Sequence, residues 1–167
     1  EELTRIQVDA IKNLKIDSSC KVTPAINTDF GIFASYLAPT GQILGCENNA
    51  DITLETASHD GSRFSAFVGK NDGLIKDCVN NGNITINTQK RSGNVYIGAF
   101  AGHANPRNGL AAGEAVTFEN LIGFDGCTNN GDITYYCNST GGYVAVGGIA
   151  NSTTVALTTG EASTNVD

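Results

Sequence analysis

Residues 73–85 read GLIKDCVNNGNIT, and the same pattern returns as GQILGCENNADIT at 41–53 and IGFDGCTNNGDIT at 122–134. Each copy has an apolar residue, two spacers, Cys, one spacer, Asn-Asn, a small residue, Asp or Asn, and then Ile-Thr. A second block follows every time: FSAFVG at 64–69, YIGAFAG at 96–102 and VAVGGIAN at 144–151. The distance between the blocks barely varies, being 20 residues from Cys46 to Ala66 and 21 from Cys78 to Ala99 and from Cys127 to Gly148. IKNL at 11–14 fits the frame with Leu14 in the Cys position, because Leu14 to Ser35 is again 21 residues. Unit starts at Leu14, Cys46, Cys78 and Cys127 are then separated by 32, 32 and 49 residues. About 16 extra residues in the last interval fall between Gly102 and Phe118, where HANPRNGLAAGEAVT (103–117) has the Pro and Gly content of a loop.

In this frame the residues form columns. Three before the Cys stand Ile11, Ile43, Ile75 and Phe124; six after it stand Cys20, Ile52, Ile84 and Ile133; eight after it stand Val22, Leu54, Ile86 and Tyr135. Thr53, Thr85 and Thr134 lie between the last two columns, so apolar and polar residues alternate with the period of half-buried strands. The second block aligns Phe33, Phe64, Ile97 and Val146, then Tyr36, Phe67, Phe100 and Ile149, around small residues that let the chain turn tightly. A unit of 32 residues cannot bury its apolar face alone, so neighbours must stack. The expectation is an all-β fold: a short right-handed parallel β-helix, or β-solenoid, of about four coils with three short strands each. Residues 1–167 then make a single repeat domain, with an N-terminal cap through 1–10, units starting near 11, 43, 75 and 124, and a loop insertion at 103–117. The Asn-Asn-Gly segments are expected to stack at a corner, their side chains hydrogen-bonded along the ladder and their Gly supplying positive φ.

AFVGKNDGLIKDCVNNGNIT at 66–85, with GGIAN at 147–151 as a second copy of its opening, resembles the GLUG-motif β-solenoid repeats of bacterial cell-surface and adhesin-like proteins. The motif's Gly-Leu-any-Gly core stands here as Phe67-Val68-Gly69 after Ala66, Phe100-Ala101-Gly102 after Ala99, and Ile149-Ala150 after Gly148, with Asn151 in the last position. The resemblance implies a segment of a large secreted or surface protein. It implies no catalytic residues, because the motif positions are structural.

Charged residues make up 16% of the chain, below the roughly 25% of ordinary domains, while 20 of 167 residues are Gly and the net charge is −7. Ten scattered Lys and Arg form no stripe that could displace phosphate counterions, which argues against nucleic acid. No apolar run approaches the ~18 to 20 residues of a membrane span. The chain contains no Met, and TTVALTTGEASTNVD (153–167) begins a strand at Val155–Leu157 without a recognisable polar cap. Both lead to the expectation of a segment that continues into, or docks against, a neighbouring domain of the same chain.

Stacking brings Cys46, Cys78 and Cys127 into one column, which invites a metal, redox or Cys46–Cys78 disulfide reading; Leu14 in the same column favours small buried hydrophobes. Asp51, Asn83 and Asp132 also share a column, as general acids or Ca²⁺ ligands would need, but repetition is what turn capping requires. His59 and His103 sit at different offsets, and neither joins a nucleophile or metal spacing. Asn83, Asn138 and Asn151 open glycosylation sequons that a bacterial origin leaves unused. The break in the repeat is the best place for a ligand: His103, Asn105, Arg107 and Asn108 in the insertion are the candidate binding residues, with Glu114 nearby and Tyr136 and Tyr143 as aromatic surface in the last coil. No catalytic, cofactor-binding or metal-binding residue stands out. The function expected is a non-enzymatic surface module, a rigid spacer or adhesin-type binding segment that presents a β-ladder face to a glycan or protein. The alternative is a polysaccharide-active β-helix lyase or hydrolase, which would need a non-repeating cluster of acids and bases on one strand face.

Overall fold

The computed structural model describes residues 10–24, 28–59, 61–104, 123–138 and 144–150, and these are all-β. A first pass of the chain contributes β1 (Ala10–Lys12), β2 (Lys15–Ile16) and β3 (Ala34–Leu37). The second contributes β4 (Gln42–Leu44), β5 (Glu47–Asn48), β6 (Ile52–His59), β7 (Ser62–Ser65) and β8 (Val68–Asn71). Next come β9 (Leu74–Lys76), β10 (Val79–Asn80), β11 (Ile84–Arg91), β12 (Val95–Gly98) and β13 (Ala101–Ala104). Last come β14 (Gly123–Asp125), β15 (Thr128–Asn129), β16 (Ile133–Cys137) and β17 (Val144–Gly147). Each strand pairs in parallel with its counterpart in the adjoining pass, giving five sheets ordered β1-β4-β9-β14, β2-β5-β10-β15, β6-β11-β16, β7-β12-β17 and β3-β8-β13. This is a parallel β-solenoid. A complete pass holds five strands rather than the expected three, because the Asn corner and the Gly-flanked second block each supply strands of their own.

The interior is the set of columns laid side by side. Ile43 lies against Ile75, Ile52 against Ile84 and Leu54 against Ile86, all at most 3% exposed. At ~1.5–3 kcal/mol for each large side chain removed from water, these columns are the main driving force for stacking. Phe33, Phe67 and Phe100 line up across three passes, the first pair stacked with ring centroids 4.5 Å apart and the second tilted at 4.6 Å.

The first pass departs from the expected register. Val22, not Cys20, bridges to Ile52, and Cys20 is exposed. Two added residues form a turn in which Asp17 accepts from the Ser19 amide through Oδ1 (2.8 Å) and from the Cys20 amide through its carbonyl (3.0 Å). Phe30 bridges to Phe64, and Ala34 pairs with Val68. Phe33 therefore occupies the Phe67 column, not that of Phe64, and Tyr36 lies on the surface, 47% exposed. Leu14 takes the Cys position by backbone, its carbonyl accepting from Glu47 at 2.9 Å. In this outermost described pass its side chain is 46% exposed.

Positive φ belongs to another column than the expected one. Asn13, Gly45, Asp77 and Gly126, each directly before the Leu14 or Cys position, have φ between 52° and 61°. Gly82 and Gly131, in the Asn-Asn-Gly corners, are needed for close approach instead: a Cβ at Gly82 would lie 2.0 Å from the Ala50 carbonyl oxygen.

Ala104 pairs with Asn71 and Gly123 with Leu74, so the extra residues of the last interval fall between these two ladder positions and lie outside the described residues. Of the expected N-terminal cap at 1–10, Ala10 instead begins β1, paired with Gln42; residues 1–9, Tyr143, Asn151 and the strand expected at 155–157 lie outside the described residues.

Candidate functional site

The repeating polar residues are consumed by the fold. Asn48 Nδ2 donates to Asn80 Oδ1, and Asn80 Nδ2 to Asn129 Oδ1, both at 2.8 Å. Each of these amides also donates to the carbonyl two residues on, at Ala50, Gly82 or Gly131. An outer ladder runs the opposite way, from Asn130 to Asn81 to Asn49, again at 2.8 Å. Asp51 Oδ1 accepts from the Asn83 amide at 2.8 Å, and Asn83 Oδ1 from that of Asp132 at 2.9 Å. That column ties successive passes together, where the sequence led to the expectation of turn capping within each.

All five cysteines are free thiols. Cys78 Sγ accepts from the Cys46 amide at 3.3 Å and contacts the Ile43 and Lys76 carbonyls. Burial pushes the Cys78 thiol up to about 12 and raises Cys127 as well, so neither is a thiolate at neutral pH. Among the described residues, no three His, Cys, Asp or Glu converge as metal ligands.

What does not repeat gathers on the surface of the second block. Tyr36, Lys70 and His103 stand in register across β3, β8 and β13. Lys70 Nζ lies 4.9 Å from the Tyr36 ring centroid and 3.1 Å from Asp72 Oδ2, which also accepts from the Tyr36 hydroxyl at 2.8 Å. That hydrogen bond raises the Tyr36 phenol, because ionisation would place two negative charges together. From β7, Arg63 Nη1 donates to both oxygens of Asp29, at 3.0 and 2.8 Å. Tyr96 pairs with Arg63 across β12 and β7, and its ring stands edge-on to the His103 imidazole with centroids 5.9 Å apart. His103 Nδ1 and Arg63 Nε are buried without a hydrogen-bond partner among the described residues. Desolvation, then the cations of Arg63 and Lys70, lower the His103 pKa.

A concavity adjoins this cluster where the repeat slips. His59 pairs with Arg91, but three residues later Ser62 pairs with Val95, so the corner at 91–95 is one residue longer than that at 59–62. The longer corner packs closely on the shorter: a Cβ at Gly61 would lie 2.9 Å from the Asn94 carbonyl oxygen. The result is an open hollow of about 200 Å³ lined by Gly61, Ser62, Arg63, Asn94 and Tyr96.

Of the expected binding residues, His103 lies on β13 rather than in a loop, while Asn105, Arg107 and Asn108 lie outside the described residues. Tyr136 is 62% exposed on β16, in another sheet. The spacing of acids and bases in the sequence reveals no non-repeating cluster; the fold assembles one from Asp29, Arg63, Lys70, Asp72 and His103. Its sequence signal is negative, since outward positions of the second block hold unlike residues in successive units: Arg63, Tyr96 and Ala145 share one column. The chain matches no protein-family model, no curated protein and no solved structure.

Proposed function

We propose that this chain is a non-enzymatic surface module of the GLUG-motif type: a rigid β-ladder from a secreted or cell-surface bacterial protein that presents a side-chain cluster to a glycan or protein. The observation that carries this reading is the division of labour along the ladder. In the two inner passes the repeating Asn, Cys and apolar residues are saturated within the fold, whereas Tyr36, Lys70, His103, Arg63 and Tyr96 break the repeat together on one surface. Gly69 and Gly102, which stand for the motif's second Gly, also have a shared physical reason. A Cβ at either would come within 2.8 Å of backbone nitrogen, at Phe30 and Phe64 respectively. Fluorescently labelled protein applied to glycan and surface-protein arrays tests the proposal. Saturable binding to some component is expected; its absence from every component would overturn it.

The same cluster gives the enzymatic alternative its one supporting observation, since it joins acids and bases on one surface. Its carboxylates are already committed, however: Asp29 to Arg63, and Asp72 to Tyr36 and Lys70. Carboxylate oxygens already engaged by a guanidinium, an ammonium and a phenol hydroxyl are poorly placed to reach a leaving group. Turnover on a panel of neutral and acidic polysaccharides, abolished by Asp72→Asn, would establish the alternative instead.

A further inference from the structure

We infer that Asn130, at the end of the outer Asn ladder, is a hydrolytic modification site: its side-chain amide is converted by water to aspartate and isoaspartate, and that conversion releases Asn81 to follow. The site needs no ligand, so it stands whether or not the surface-module reading holds.

The chemistry lies in the dipeptide. In Asn-Gly the backbone nitrogen of Gly can attack the Asn side-chain carbonyl carbon with little hindrance, because Gly has no Cβ and a wide choice of φ and ψ. At Asn130 the Gly131 nitrogen bonds to Cγ, the Cγ–Nδ2 bond breaks, and ammonia leaves with the proton given up by that nitrogen. Water then opens the resulting succinimide at either carbonyl, giving aspartate or isoaspartate, so that one water is consumed and one ammonia released. The fold holds this dipeptide in place. Gly131 serves the close approach of successive corners, since a Cβ there would lie 2.1 Å from the Gly82 carbonyl oxygen, and the Asn before each Gly carries the outer ladder.

Position in the ladder sets the order. Asn81 is clamped on both sides: Nδ2 donates to Glu47 Oε1 at 3.1 Å and to Asn49 Oδ1 at 2.8 Å, and Oδ1 accepts from Asn130 at 2.8 Å. Gly82 behind it is buried against Ala50, so a ring can close there only if the corner opens. Asn130 is exposed and its side chain donates to Asn81 alone; among the described residues nothing donates to its Oδ1. Gly131 is half-buried, and its amide reaches Asn129 Oδ1 only at 3.3 Å, beyond the ordinary range of an N–H···O bond. The Asn130 carboxamide is therefore the freer to swing onto the Gly nitrogen. As a carboxylate it has no N–H to give, so Asn81 Oδ1 loses its donor and one side of its clamp.

Incubation of the folded chain in mildly alkaline ¹⁸O-labelled water tests this, followed by peptide mapping with fragmentation that separates aspartate from isoaspartate; the label excludes conversion during digestion. The urea-unfolded chain is the reference. There Asn81 and Asn130 share the context Asn-Asn-Gly and should convert at similar rates. In the folded chain Asn130 should convert about fivefold faster than Asn81 or more, the factor that about 1 kcal/mol of holding supplies. Asn130→Asp should raise the Asn81 rate about twofold, because a single exposed bond is worth little in water, and Asn130→Ala should do the same without adding a charge. Equal rates in the folded chain, or Asn81 reacting first, would overturn the inference, as would conversion of neither residue in the folded chain. An Asn81 rate unmoved by both variants would overturn the release of Asn81 by its neighbour.

Discussion

Replacing Asn80 by Ala removes the centre of the inner corner ladder. Asn80 is fully buried, donates to Gly82 O and Asn129 Oδ1 at 2.8 Å each, and accepts from Asn48 Nδ2 at 2.8 Å. Each lost bond costs about 1 kcal/mol net, and the Gly82 carbonyl is left without this donor where water does not reach, which adds about 1–2 kcal/mol. The sum is a loss of about 4–5 kcal/mol, or about 8–20 °C in Tm for a domain of this size. Asn81→Ala is the matched control. Asn81 makes as many side-chain bonds, to Glu47, Asn49 and Asn130, but it is exposed, so water replaces them and the cost stays below about 1 kcal/mol. Urea unfolding followed by circular dichroism compares the two, with coincident transitions by tyrosine fluorescence as the check on two-state behaviour. If Asn80→Ala falls within 1 kcal/mol of Asn81→Ala, burial of the inner ladder is not what stabilises the corner.

Three further outcomes are expected. Gly82→Ala, whose Cβ would lie 2.0 Å from the Ala50 carbonyl oxygen, should lower the urea midpoint by the equivalent of about 1–3 kcal/mol; an unchanged midpoint would show that the corner yields freely. The Cys78 thiol is raised from 9.0 to about 12, so with rising pH the unfolded chain releases this proton first. Its contribution is whole below pH 9 and is lost between pH 9 and about 12, a decline that Cys78→Ala should flatten in urea midpoints measured from pH 8 to 11. His103 is lowered from 6.5 by burial and by Arg63 and Lys70, so its contribution is whole above pH 6.5 and falls on acidification. An NMR titration should place its midpoint below 6.5, and Lys70→Ala should move that midpoint upward.

The stacked strands and the 32-residue frame were legible because buried columns repeat residue type: Ile43 over Ile75 and Ile52 over Ile84 are chemically the same position. The first pass was harder for a physical reason. Leu14 to Val22 spans eight residues where Cys46 to Ile52 spans six, Val22 to Phe30 spans eight where Ile52 to Phe64 spans twelve, and Leu37 to Gln42 spans five where Asn71 to Leu74 spans three. The changes cancel, so the total spacing stays at 32 while the internal register moves and carries Phe33 into the wrong column. Asp17-Ser18-Ser19, a sequence suited to an Asx turn, was the local sign of the first change. Asn13, Gly45, Asp77 and Gly126 are the residue types that tolerate positive φ, so that column was readable too. The surface cluster was not, because outward positions owe nothing to stacking. Lys70 and His103 become neighbours only once the 33-residue offset between β8 and β13 is known.

The solenoid is defined by in-register parallel pairing between passes, and through-hydrogen-bond N–C′ scalar couplings observe it directly. The amide nitrogens of Val79, Asn81, Thr128 and Asn130 should couple to the carbonyl carbons of Cys46, Asn48, Cys78 and Asn80 respectively. Couplings from these amides to carbonyls only a few residues away, or to partners in antiparallel register, would contradict the solenoid.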